Sequence, residues 1–223
     1  MSILTPLSND PVSMAEYAQK LGLSPTCFEC SEIYSFDPEV LQFVPPNARA
    51  VIFLFPIGES SGFLETRHMN DGPVEGTAPW FSIQTLGNAC GTIAVLHTIF
   101  NSLDQFDVVE GSWLHEFIAK SMDMSPQERA RFIEFDNSVK RIHENAAMDD
   151  STPIIEEDMN NHFIAFVPFE GKVWELDGRK PQPICHGPYS DFLVQATDVI
   201  QREFIPHVDD IMRTSMIAFC STK

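Results

Sequence analysis

The spacing of apolar and polar positions predicts a small set of elements. Residues 50–55 (Ala50-Val51-Ile52-Phe53-Leu54-Phe55) are apolar without a break and end at Pro56, which predicts a strand covered on both faces. Two further apolar runs, 162–167 and 173–177, are joined by Pro168-Phe169-Glu170-Gly171-Lys172 and predict an antiparallel hairpin. Residues 214–219 predict a closing strand. Ser13-Met14-Ala15-Glu16 has the form of a capping box opening a helix that ends near Lys20, with Gly22 just past its end. Ser125-Pro126-Gln127-Glu128 opens another helix, expected to run to about Ile142 with Phe132, Phe135 and Val139 on its buried side. Met122 and Met124 are further core candidates.

Between these runs lie two polar stretches. Residues 59–79 contain glycine and predict a loop. From His143 to Asn161 the periodicity fails, interrupted by Glu144, Asp149, Asp150, Pro153, Glu156, Glu157 and Asp158. A structureless stretch of that length in a compact domain is either a lid over a site or a disordered linker. No repeat, low-complexity tract or linker divides the chain, so a single domain over 1–223 is expected.

Composition narrows the class of protein. With 223 residues, 43% of them hydrophobic, the chain is globular and large enough for one sizeable core. Its formal net charge of −18 repels nucleic acid and anionic membrane and favours a basic partner. Five cysteines form no paired framework, no Asn-X-Ser/Thr sequon occurs, and residues 1–6 lack the character of a secretory signal. A cytoplasmic location is expected, with the nucleus as a second one. Cys27 and Cys30 have Cys-X-X-Cys spacing, but no second pair accompanies them and no metal is expected.

The chemistry concentrates at Gln84-Thr85-Leu86-Gly87-Asn88-Ala89-Cys90-Gly91, which leads into the apolar residues 92–97. Gly87 breaks the preceding element and Asn88 is a good N-cap, which would place Cys90 at the second position of a buried helix. There its amide has no partner within the helix, and its sulfur lies at the positive end of the dipole, which favours thiolate. The amide and the Gln84 carboxamide are candidate donors to an oxyanion. The alternative is that Cys90 is merely a small buried hydrophobe.

The hairpin supplies possible partners. A four-residue loop from Pro168 to Gly171 puts His162 directly opposite Asp177; a two-residue loop at Glu170-Gly171 leaves them diagonal on the same face. Either register lets Asp177 hold one imidazole nitrogen while the other faces a sulfur. A lone histidine on an apolar strand is otherwise a satisfied core residue. His97, two turns beyond Cys90, is read as packing, and Cys185 with His186 as a turn with no ligand role.

Gln84, Asn88-Ala89-Cys90-Gly91, Asn161-His162-Phe163 and Glu175-Leu176-Asp177-Gly178-Arg179 together resemble the active-site motifs of the ubiquitin C-terminal hydrolases. The likeness extends to Pro6-Leu7-Ser8-Asn9-Asp10-Pro11, to Asp37-Pro38-Glu39-Val40 through Pro56, to Ser125-Pro126-Gln127-Glu128-Arg129 and to His186-Gly187, and so covers nearly the whole chain. It implies a papain-like α+β fold: a central antiparallel sheet flanked by helices on both sides, a catalytic cysteine at a helix N-terminus, a long crossover loop and a knotted backbone. It implies a thiol-dependent deubiquitinating protease without cofactor, with Cys90 as nucleophile, His162 as general base and acid, Asp177 as its orienter, and Gln84 with the Cys90 amide as oxyanion hole. The crossover loop, carrying Asp149, Asp150, Glu156, Glu157 and Asp158, would limit leaving groups on the ubiquitin C-terminus to small or unfolded ones. The length is that of the family's short members, and a monomer is expected. Ser8 stands where the family more often has an acidic residue, and an early tryptophan is missing. Two other readings share these residues: a hydrolase of a ubiquitin-like modifier, and a protein that mainly binds free ubiquitin. Cys220-Ser221-Thr222-Lys223 has prenylation spacing without aliphatic middle residues, so a strand end is expected there.

Overall fold

The computed structural model describes residues 3–149 and 160–223. Six strands form one antiparallel sheet in the order β1-β6-β2-β3-β4-β5. They are β1 (Phe28–Glu32), β2 (Ala48–Pro56), β3 (Asn161–Phe169), β4 (Lys172–Leu176), β5 (Ile184–Pro188) and β6 (Ser215–Ser221). Strand β2 is central, paired with β3 on one side and β6 on the other. Its unbroken apolar run follows from that position, because the period-2 alternation feeds two different cores. Ala50, Ile52 and Leu54 join Phe163, Leu176 and Phe219 in one cluster, while Val51, Phe53 and Phe55 join Ile164, Phe166 and Phe204 in the other.

Helices cover both faces, as expected. The first core packs against α1 (Pro11–Leu21), α4 (Cys90–Phe100), α5 (Trp113–Ser121), α6 (Pro126–Phe135) and α7 (Asn137–Asp149). The second packs against α2 (Pro38–Leu41), α3 (Gly62–Thr66) and α8 (Phe192–Glu203). No helix among the described residues is long and apolar enough to cross a membrane.

Several boundaries differ from the sequence reading, each for a local reason. Asp10, not Ser13, caps α1: its carboxylate accepts from the Val12 and Ser13 amides at 2.9 and 3.0 Å, and Pro11 is already helical. The capping box at Ser125 and Glu128 is present, but its helix stops at Phe135. Asp136 then turns extended and its Oδ1 accepts from the Ser138 and Val139 amides at 2.6 and 3.3 Å, starting α7 afresh. The break leaves Phe135 75% exposed rather than core, and Met122 is likewise on the surface.

Residues 143–149 are not loop. They complete α7, where His143 is buried between Thr92 Oγ1 (2.7 Å) and the Thr5 carbonyl (2.6 Å). Asp149, expected on the crossover loop, ends this helix in an ion pair with Lys20 at 2.7 Å. Asp150, Glu156, Glu157 and Asp158 lie outside the described residues. Part of the polar stretch after residue 59 is also helical, as a short 3-10 turn followed by α3.

Candidate active site

Cys90 stands at the start of α4, one position earlier than predicted. Ala89 occupies the cap position and its carbonyl takes the first helical bond, from Ile93 at 2.9 Å. Asn88 adopts φ 57°, a left-handed conformation that asparagine tolerates, and donates Nδ2 to the Leu4 carbonyl at 2.9 Å instead of capping the helix. The consequence for Cys90 is unchanged: as a first-turn residue its amide has no partner within the helix, and its sulfur sits near the positive dipole end. A side chain at Gly91 would meet Leu7 at 3.1 Å and Phe163 at 3.5 Å, so the residue after the cysteine is small where strand and N-terminal segment press on the helix.

His162 and Asp177 arrive from the hairpin. Phe169 pairs with Lys172 and Ala165 with Leu176, which selects the two-residue loop and the diagonal placement. Glu170 and Gly171 both take positive φ, 48° and 72°, as the tight hairpin turn requires. His162 is opposite Phe55, which meets its ring edge-on at 5.6 Å, and Asp177 follows the last residue of β4. His162 Nε2 and Asp177 Oδ1 are 2.7 Å apart, both groups buried, and the same oxygen accepts from the Arg179 amide at 2.9 Å.

Cys90, His162 and Asp177 form an electrostatically coupled set. Burial alone would push the Cys90 thiol up; the His162 ring N–H and charge, the Phe163 amide and the Arg179 guanidinium outweigh it and hold the thiol below its ordinary value. Burial likewise works against a charged His162, but the charge and hydrogen bond of Asp177, then those of Cys90, lift its pKa to about 9. Asp177 is penalised by burial too, yet the His162 charge and hydrogen bond, the Arg179 amide and the Lys180 charge bring it down to about 2. All three shifts act in the same direction, toward thiolate, imidazolium and carboxylate. His162 Nδ1 has no partner among the described residues that meets hydrogen-bond geometry, so its contact with the sulfur is less well formed than the bond to Asp177. Such contacts tighten when a substrate is bound.

Gln84 is held against the turn that follows Asp177. Its amide donates to the Gly178 carbonyl at 2.8 Å, tying it to the turn after Asp177. Nε2 donates one hydrogen to the Leu86 carbonyl at 3.1 Å, leaving the second hydrogen for another acceptor.

Several supporting residues have no motif-level signature. Lys180 is buried and donates to the carbonyls of Leu64, Glu65 and Arg67, fixing the turn beyond Asp177 to the end of α3. Asn101, Arg129 and His97 bind the backbone of Trp80, Phe81 and Ser82, just ahead of Gln84. The spacing of His97, two turns from Cys90, fits its place on α4, but packing alone does not anticipate its bond to Ser82. His186 is on strand β5 rather than a turn, with Nε2 2.9 Å from Glu175, which in turn pairs with Arg67 at 2.6 Å.

Comparison with known proteins gives the family and the fold. A family model described as ubiquitin carboxyl-terminal hydrolase, family 1, matches residues 4–205. Ubiquitin carboxyl-terminal hydrolase 3 of Arabidopsis thaliana is 39% identical over 203 residues, covering 88% of this chain and 86% of that protein. Ubiquitin carboxyl-terminal hydrolase isozyme L1 of Rattus norvegicus is 30% identical over 220 residues, 97% of this chain and 98% of that one. In fold, the chain is similar to the catalytic domain of Trichinella spiralis UCH37 bound to ubiquitin vinyl methyl ester, with a TM-score of 0.78 at 21% identity over 98% of this chain and 95% of that chain. With one family model spanning nearly all of it and relatives aligned almost end to end, the chain belongs to family 1 of the ubiquitin carboxyl-terminal hydrolases.

Proposed function

We propose that this protein is a thiol-dependent deubiquitinating hydrolase that removes small or unfolded groups from the C-terminal glycine of ubiquitin. The observation that carries the reading is geometric: Cys90 starts α4, and the hairpin supplies His162 with its Nε2 2.7 Å from Asp177, a setting that favours thiolate. A buried thiol with no catalytic role has no use for an ion-paired histidine and titrates upward, as Cys220 does, pushed to about 12 by burial.

The Cys90 thiolate attacks the carbonyl carbon of the terminal glycine, forming a C–S bond while the carbonyl electron pair moves to oxygen. The Cys90 amide and the second N–H of Gln84 receive that oxyanion. His162 gives its Nδ1 proton to the leaving nitrogen as the C–N bond breaks, producing a thioester and a neutral ring. The ring then takes a proton from water, whose oxygen attacks the thioester, and the thiolate departs to restore the ion pair. Asp177 holds the ring orientation throughout and stabilises each imidazolium.

The surface suits a protein substrate with a basic tail. The chain carries a net charge of −18. Away from the cysteine, a hollow of about 280 Å³ is lined by Tyr34, Val40 and Phe43, with Tyr34 and Phe43 82% and 86% exposed. Apolar side chains presented together in this way fit a macromolecular partner. Five cysteines, all free, suit a reducing compartment such as cytosol or nucleus. Turnover of a fluorogenic amide at the C-terminus of ubiquitin by wild type and Cys90→Ala tests the proposal: wild type should turn over and the variant should not. Equal rates would end this reading, and the same assay with a ubiquitin-like modifier decides between the two substrates.

A further inference from the structure

The helix that begins at Cys90 also grips the segment carrying Gln84. His97 is completely buried on α4, seven residues and about 10 Å along the axis from Cys90. Its Nε2 lies 3.1 Å from the Ser82 amide nitrogen and 3.2 Å from the Ser82 carbonyl oxygen. Whichever ring nitrogen carries the proton, the ring bonds Ser82, accepting from its N–H or donating to its C=O. The ring also stacks on Phe81, with centroids 5.0 Å apart and planes at 13°. Asn101, at the end of the same helix, accepts from the Trp80 amide at 2.7 Å and donates to its carbonyl at 2.9 Å. Arg129 from α6 donates to the Phe81 carbonyl at 2.8 Å. Two residues past Ser82, the Gln84 amide is fixed to Gly178.

These contacts reference both proposed oxyanion donors to one rigid rod. The Cys90 amide is part of α4, and the backbone ahead of Gln84 is sewn to the same helix further along. Filling volume alone does not explain a histidine here. Among the described residues its wholly buried Nδ1 makes no hydrogen bond of good geometry, only a weaker interaction with the Leu176 carbonyl, a cost that a leucine of similar size would avoid.

We propose that His97 is a positioning residue for this hydrolase: by holding Ser82 it sets where the Gln84 carboxamide stands relative to the Cys90 amide, so that both donors meet one oxyanion. The inference rests on the reading of the site as a thiol hydrolase. It needs a ring that stays neutral through the working pH range. Burial pulls the His97 pKa down to about 4, only partly offset by the Ser82 and Leu176 carbonyls and the Asp177 charge. A misplacement of the carboxamide by about 1 Å is enough to cost about 10²-fold in rate.

The test compares kcat and KM on a ubiquitin C-terminal fluorogenic amide for wild type, His97→Leu, His97→Gln, Gln84→Ala and both His97 variants combined with Gln84→Ala. His97→Leu is expected to lower kcat about 10- to 100-fold with KM changed by less than about twofold. His97→Gln, whose carboxamide reaches either group of Ser82, should recover most of that loss. In the Gln84→Ala background His97→Leu should cost nothing further, because there is no donor left to position. The pH midpoint of Cys90 alkylation should be unchanged in every His97 variant. If His97→Leu does not fold, His97→Asn, too short to reach Ser82, takes its place with the same expected loss. A folded variant with wild-type kcat, a full multiplicative loss on top of Gln84→Ala, or no advantage of glutamine over leucine each overturns the inference. An inactive wild type overturns the hydrolase reading with it, whereas an active wild type with any contrary result removes only the role of His97.

Discussion

His162 has Nε2 2.7 Å from Asp177, which leaves Nδ1 as the ring nitrogen available to Cys90, whose thiol the ring holds below its ordinary value. The carboxylate therefore decides both the orientation of the ring and its charge, and the cysteine reads the result through the ring.

That chain of dependence predicts how Cys90 titrates. Alkylation of Cys90 by iodoacetamide, followed across pH by mass spectrometry, should reach half its limiting rate below pH 9.0, the ordinary thiol value. In His162→Gln burial acts without the opposing imidazolium, so the midpoint should move above that of wild type. Equal midpoints would mean that the ring does not control the thiol.

The same pair should shape stability against pH. The folded pKa of His162, about 9, lies above its ordinary 6.5, so its contribution is complete below pH 6.5 and is lost as pH rises through 9. Asp177, folded at about 2 against an ordinary 3.8, contributes fully above pH 3.8 and loses its share as pH falls through 2. The stability difference between wild type and Asp177→Asn, measured by urea unfolding, should be largest between pH 3.8 and 6.5 and shrink on either side. A difference that is flat with pH would contradict the ion pair.

Gly178 gives a steric test of the link between Asp177 and Gln84. A Cβ there would lie 3.0 Å from Gln84 Cβ and 3.0 Å from Ile93 Cγ2. In Gly178→Ala the Gln84 segment must shift, and kcat should fall about 10-fold or more while the alkylation midpoint of Cys90 stays in place. Unchanged kcat would show that the approach of these two segments is not critical.

Behind the site, Glu175 is wholly buried between Arg67 at 2.6 Å and His186 at 2.9 Å, and Arg67 is stacked over Phe204 at 4.3 Å. Glu175→Gln keeps the shape but removes the nearer and fully buried of the two carboxylates that face the Arg67 guanidinium. Urea unfolding should show a loss of about 3–5 kcal/mol. A loss under about 1 kcal/mol would mean that Glu203, 3.3 Å from Arg67, suffices alone.

How much of this was visible in the sequence depended on range. The central strand and the hairpin could be read because their signals are local: the unbroken run ending at Pro56, and the Glu170-Gly171 pair that tolerates two positive φ values. Cys90, His162, Asp177 and Gln84 could be singled out as candidates because they stand in short motifs. The cap of α4 was misplaced because Asn88 spends its side chain on Leu4, a partner 84 residues away that no local rule anticipates. The break at Asp136 was missed because the apolar spacing continues across it, while the aspartate caps the next helix. The roles of His97, Lys180 and Arg129 were hidden for a similar reason: each acts on backbone carbonyls or amides that only the folded chain brings near.

The most direct test is reaction with ubiquitin bearing a C-terminal vinyl methyl ester, read by intact mass and peptide mapping. Wild type should gain one ubiquitin, attached at Cys90; Cys90→Ala should gain none, and Asp177→Asn should react at least about 10-fold more slowly. Attachment at any other cysteine, or tight ubiquitin binding by wild type with no adduct, would contradict the account.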